Sequence, residues 1–169
     1  MKPIRLVLSA FGPFAGCEEI DFQSLVSHGL YVVAGPTGTG KTTIFDAMAY
    51  ALYGSLPGER PIESVRSQHA EAGEPTFVEF EFEMEGRRWR VRRSPVWSRP
   101  RRKGTGLTSE PAQATLEEMV GGRWEGRESG VTRVAPRCAG ILGLGPDHFQ
   151  RVVLLPQGKF QQFLVSDTR

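Results

Sequence analysis

The chain has 169 residues, 39% of them hydrophobic, and a formal net charge of +2, enough for one domain or part of one with a real core. Its start, Met1-Lys2-Pro3-Ile4-Arg5, carries charge with no long apolar run behind it. This leads to the expectation of a soluble, cytoplasmic chain with neither a signal peptide nor a membrane span. Two cysteines, Cys17 and Cys138, lie far apart with no His or Cys at metal spacing, which argues against a disulfide framework or a zinc site.

In chain order, Ile4 to Leu8 and Glu19 to Phe22 read as two short strands around a turn at Phe11-Gly12-Pro13-Phe14. Leu30 to Ala34 is an apolar run leading straight into glycines, read as a third strand. From Lys41 to Tyr53 the pattern is helical with apolar residues on most faces, and Gly54 marks its end. Pro57 to Pro75 is rich in turn residues and predicts a surface loop with one short helical turn.

Phe77 to Met84 alternates strictly, and after Glu85-Gly86 the alternation resumes with Trp89 and Val91 against Arg88, Arg90 and Arg92. A two-residue hairpin loop therefore pairs Glu83 with Arg88, Glu81 with Arg90, Glu79 with Arg92 and Phe82 with Trp89. Pro95 to Gly106 reads as a mobile loop. Ala112 to Val120 and Arg123 to Glu125 read as a further hairpin across Gly121-Gly122. Val131 to Leu144 is predicted helical despite Pro136, Gln150 to Leu155 a short strand, and Lys159 to Val165 a second helical stretch.

The chemistry concentrates at Gly35-Pro36-Thr37-Gly38-Thr39-Gly40-Lys41-Thr42, a full match to the phosphate-binding P-loop in its expected setting between strand and helix. Glycines let consecutive backbone N–H groups turn toward phosphate oxygens, and the helix start adds partial positive charge. Lys41 is placed to reach the β- and γ-phosphates, and the Thr42 hydroxyl to ligate magnesium. A P-loop by itself indicates a nucleotide and not a function.

A more specific pattern surrounds it. Phe11-Gly12-Pro13-Phe14 is followed by Ile20-Asp21-Phe22, then by the P-loop extended through Thr43-Ile44-Phe45-Asp46-Ala47, then by Ala51-Leu52-Tyr53-Gly54. Val152 to Phe160, containing Pro156-Gln157-Gly158, completes the series. In this order the motifs resemble the N-terminal half of the SbcC family, whose Q-loop glutamine falls on Gln157.

The resemblance implies an α/β P-loop NTPase fold: the N-terminal lobe of an ABC-ATPase-type head, with a mixed sheet, the P-loop helix and an antiparallel hairpin region. Residues 1–169 would form that half-head, with a coiled coil beginning near or after residue 165. The cofactors implied are ATP and Mg2+, held by Gly35, Pro36, Thr37, Gly38, Thr39, Gly40, Lys41, Thr42 and Thr43, with Thr42 and Gln157 on the metal and Lys41 and Gln157 serving catalysis. The partners implied are the C-terminal half of the same head, an SbcD-type nuclease, DNA bound without regard to sequence, and a second head in an ATP-bound dimer. The setting implied is the cytoplasm, in association with the nucleoid.

Neither a Walker B strand ending in Asp-Glu nor a Ser-Gly-Gly signature occurs in these residues, so the parent protein is expected to be an ATPase and this piece alone inactive. Two other readings stay open: a small free-standing P-loop kinase, and a nucleic-acid-binding module with a structural P-loop. The latter draws on nine basic residues and no acidic one between Arg87 and Lys103. Arg88, Arg90 and Arg92 face glutamates and read as neutralised. Arg99, Arg101, Arg102 and Lys103 have no partner in sequence and are the candidates for binding a phosphate backbone.

Overall fold

The computed structural model describes residues 1–25, 32–57, 60–101 and 104–152. Ten residues of alternating and then continuous burial form β1 (Lys2–Phe11), which turns back into β2 (Phe14–Asp21). Phe22 is buried and opens a single helical turn, α1 (Phe22–Leu25), in place of the strand end expected there. The P-loop helix α2 spans Lys41–Tyr53, matching the sequence pattern, and Gly54 closes it in the left-handed conformation with its N–H on the Tyr50 carbonyl at 2.8 Å. All eight residues from Asp46 to Tyr53 are buried. The segment after α2 contains one 3₁₀ turn, Ile62–Val65.

The charged, alternating segments form β3 (Phe77–Met84) and β4 (Arg87–Ser94), in the register deduced from the two-residue loop: Phe82 opposite Trp89, Glu79 opposite Arg92. Pro95–Gly106 is not a loop throughout. Trp97–Pro100 (β5) pairs with Leu107–Glu110 (β6) as a separate two-stranded ribbon inserted between β4 and β7 (Gln113–Val120). Across Gly121-Gly122, β8 (Arg123–Ser129) completes the second expected hairpin. Helix α3 (Val131–Leu142) accommodates Pro136 and stops two residues short of Leu144, at a left-handed Gly143. The last helix among the described residues, α4 (Pro146–Val152), takes up Gln150 to Val152, where the sequence predicts the start of a strand. Residues 153–155, Gln157 and the helical stretch from Lys159 to Val165 lie outside the described residues.

The main sheet runs β2-β1-β3-β4-β7-β8, and among the described residues every pairing is antiparallel, so the mixed sheet expected from the resemblance is not seen there. One face presents Leu6, Leu8, Val78, Phe80, Phe82, Trp89, Val91 and Leu116, all buried in one cluster with α2 and α3. Removing each such side chain from water contributes roughly 1.5–3 kcal/mol, which fixes α2 against the sheet and the P-loop at its edge.

The opposite face carries a ladder of charges. Arg92 meets Glu79 at 3.1 Å as expected, but Arg88 reaches diagonally to Glu81 at 2.6 Å, and Arg90 pairs with Glu117 of β7 at 2.7 Å. Long guanidinium side chains span the diagonal of an antiparallel pair, and β7 brings its own acid opposite Arg90.

Candidate functional site

Residues 32–36 form no strand, and Val32 is 83% exposed just ahead of the loop. The strand expected at Leu30 to Ala34 is absent from its described part; residues 30 and 31 lie outside the description.

The helix that follows begins without a side-chain cap and without an acidic residue in its first turn. Its N-cap residue, Gly40, adopts φ 90°. An uncapped helix start leaves backbone N–H donors and positive dipole for an anion.

Lys41 folds back over the loop, its Nζ donating to the Gly35 carbonyl at 2.8 Å and to the Pro36 carbonyl at 2.6 Å. The Thr39 hydroxyl donates to the same Pro36 oxygen at 2.9 Å. An ammonium gains more from charged phosphate oxygens than from neutral carbonyls, so an anion in the loop offers it better partners. Thr42 is exposed and its side chain makes no hydrogen bond among the described residues, which leaves its hydroxyl oxygen available to a hard cation. Among the described residues no group of three His, Cys, Asp or Glu side chains is arranged to hold a metal. Among the described residues, the loop and its lysine thus fit a phosphate, and Thr42 offers a hard cation one oxygen ligand.

The β1–β2 turn packs directly on this loop, with the Phe14 and Pro13 rings against Gly40 and the backbone of Gly12 against Thr43. One turn further along α2, the buried Asp46 carboxylate meets Arg60 at 2.7 Å, which ties the segment after the helix back to its side.

At the far end of α2, Arg93 from β4 is buried and donates to the carbonyls of Ala51 at 3.1 Å and Val131 at 3.3 Å. Burial depresses its pKa, yet the C-terminal end of a helix is where a cation is favoured. Burial also pushes the neighbouring Cys138 thiol up, to about 12, so this cysteine is an inert core residue; Cys17 is exposed, and both are free.

Sequence reasoning assigns no role to Asp46 or Arg93, although the signal for each is present. Asp46 interrupts a buried helical run, and the period-two pattern of Trp89 and Val91 continues to Arg93.

The candidate DNA residues divide. Arg99 pairs with Glu110 across the ribbon, and Arg101 donates from Nε to the Leu107 carbonyl at 3.1 Å, so neither lacks a partner. These partners are invisible in sequence because the ribbon's register is. Arg102 and Lys103 lie outside the described residues. At the ribbon's base the Arg66 guanidinium lies 5.3 Å from the Trp97 ring centroid. No helix among the described residues is long and apolar enough to cross a membrane.

A family model described as an AAA domain matches residues 5–169. Over all of its length the chain is 39% identical to the C subunit of the nuclease SbcCD from Vibrio cholerae serotype O1, covering 17% of that protein. It is 41% identical to the C subunit of the nuclease SbcCD from Staphylococcus aureus, covering 16% of it. The chain therefore spans about a sixth of the length of the curated relatives it matches. The resemblance carried by the motifs is borne out by these matches.

Proposed function

Since this chain belongs to the AAA domain family and matches part of SbcC-type proteins along its whole length, we propose that it is the ATP-binding N-terminal half of an ABC-type head in a DNA-repair ATPase. The observation that carries the reading is Val32, an apolar residue 83% exposed at the entrance to the P-loop. In a complete P-loop domain the strand at that place is buried in a sheet, with its apolar side chains covered on both faces. Among the described residues nothing covers it. The sequence also lacks the Walker B carboxylates and the signature motif, and the C-terminal half of the head would supply all three together.

In this reading Gly35 to Thr43 hold the phosphates of ATP, and Lys41 exchanges its loop carbonyls for the β- and γ-phosphate oxygens. Thr42 and Gln157 hold magnesium, which when bound neutralises charge developing on the transferred phosphoryl group. The relatives are named as one subunit of the SbcCD nuclease, which supports a nuclease as partner and DNA as the substrate of the assembly. The basic run Arg101, Arg102 and Lys103, which lies between β5 and β6 in sequence, is the segment of this chain best suited to a DNA backbone.

The test is to add the C-terminal segment of the parent protein to this chain and follow amide exchange. Stable association with new protection at residues 32–40 is the expected result. No association, or association without protection there, contradicts the half-head.

A further inference from the structure

The turn joining β1 to β2 makes two reciprocal close approaches to the P-loop. Gly12 has φ 59°, and a β-carbon on it would lie 2.6 Å from Thr43 Cγ2 and 3.3 Å from Thr43 Oγ1. A β-carbon on Gly40 would lie 2.7 Å from Phe14 Cζ, 2.9 Å from Phe14 Cε2 and 2.9 Å from Pro13 Cγ. Each glycine is therefore pressed by side chains of the other segment, and neither position has room for a methyl group.

The turn also has a firm backing. The Gly12 N–H donates to the Val65 carbonyl at 2.7 Å, the Ser67 N–H to the Ala10 carbonyl at 2.9 Å, and Phe11 forms a bridge with Arg66. Arg66 is itself held by the carbonyls of Glu71 and Glu74, each at 2.8 Å, and by the Thr76 hydroxyl. A displacement of the turn would have to disturb this whole segment.

Phe11, Gly12, Pro13 and Phe14 carry no charge with which to hold a phosphate. What they touch is the residue that sets the direction of the helix's first N–H groups, Gly40, and the side chain two residues after Lys41. Phosphate affinity at a helix start depends on how well those N–H groups are aimed before the ligand arrives. We propose that the Phe11–Phe14 turn is a positioning element of the nucleotide site, acting on ATP through the backbone of Gly40 and the side chain of Thr43. The inference rests on the P-loop reading above and adds to it the residues that hold the loop in shape.

Full-length protein is titrated calorimetrically with a non-hydrolysable ATP analogue as wild type, Gly12→Ala, Gly12→Ala with Thr43→Ser, and Phe14→Leu, with a thermal melt for each. Gly12→Ala is expected to weaken binding about ten- to a hundredfold, the scale of a small misplacement of positioning groups. Thr43→Ser removes only the methyl that would collide, so it should recover most of the loss in the double variant. Phe14→Leu, which leaves Gly12 untouched, should also weaken binding while the melt stays close to wild type. Wild-type affinity in both Gly12→Ala and Phe14→Leu, or no recovery with Thr43→Ser, overturns the positioning role while leaving the P-loop reading intact. Binding that is unaffected by Lys41→Ala defeats the P-loop reading itself and the inference with it.

Discussion

Lys41 Nζ lies 2.8 Å from the Gly35 carbonyl oxygen, so the side chain spans the loop and returns to the residue that opens it. The lysine's bonds are to the loop and not to the core. Lys41→Ala is therefore expected to abolish ATP binding by the assembled head and to leave its melting temperature nearly unchanged. Calorimetry showing unaltered ATP affinity in the variant would remove the P-loop assignment.

Asp46 is buried, and its ion-pair partner is Arg60, itself 52% exposed at the side chain. Removing that partner leaves a carboxylate in the core, and the half-exposed arginine keeps the cost below that of a fully buried pair. Arg60→Ala should destabilise the head by about 2 kcal/mol in urea unfolding. Adding Asp46→Asn should return most of it. An Arg60→Ala chain as stable as wild type would show that the pair ties nothing down.

Gly54 ends α2 with φ 72°, and a β-carbon there would lie 2.8 Å from Arg93 Nη1. Gly54→Ala combines left-handed strain of about 1–2 kcal/mol with displacement of the buried guanidinium from the Ala51 carbonyl. The expected loss in denaturant unfolding exceeds the strain alone. If Arg93→Met abolishes that excess in the double variant, the two residues are coupled; strictly additive losses would contradict the coupling.

Glu118 accepts hydrogen bonds from Arg87 Nε at 2.5 Å and Arg127 Nε at 2.7 Å, and the bond from Arg87 foremost holds its carboxyl below the usual carboxylate range. A depressed folded-state pKa contributes stability that is present above the unfolded value and lost as the pH falls through the folded one. Melting temperature should accordingly fall as the pH drops through and below the carboxylate range, and Glu118→Gln should flatten that fall. A variant with the wild-type acid profile would assign the loss to other groups.

Much of the fold is legible in sequence, and the reasons differ by element. The β3–β4 register follows from strict alternation plus a two-residue loop, which are local facts. The limits of α2 follow from Gly40 and Gly54. The β5–β6 ribbon is not legible, because the four-residue sequences WSRP and LTSE show no alternation of apolar with polar residues and their pairing is made only on folding. For the same reason Glu110 cannot be named from sequence as the partner of Arg99. At the candidate site the loop residues are plain, whereas the packing of Phe14 on Gly40 joins positions distant in sequence and leaves no periodic trace.

The ribbon's pairing changes what is expected of its arginines. Arg99 is already bonded to Glu110, so Arg99→Ala should leave the salt dependence of duplex DNA binding unchanged. Replacing Arg101, Arg102 and Lys103 together by Ala should lower the log–log slope by about 0.9 for each phosphate that is no longer neutralised. An unchanged slope in the triple variant would remove this run from the DNA-binding surface.

Steady-state ATP turnover tests most directly whether this chain holds the nucleotide yet completes no catalytic site. The purified 169-residue chain should hydrolyse ATP no faster than background. Addition of the C-terminal segment should restore turnover that is lost in Lys41→Ala and in Gln157→Ala. Turnover by the isolated chain that persists through repurification and disappears in Lys41→Ala would contradict the account, and would identify a complete enzyme in its place.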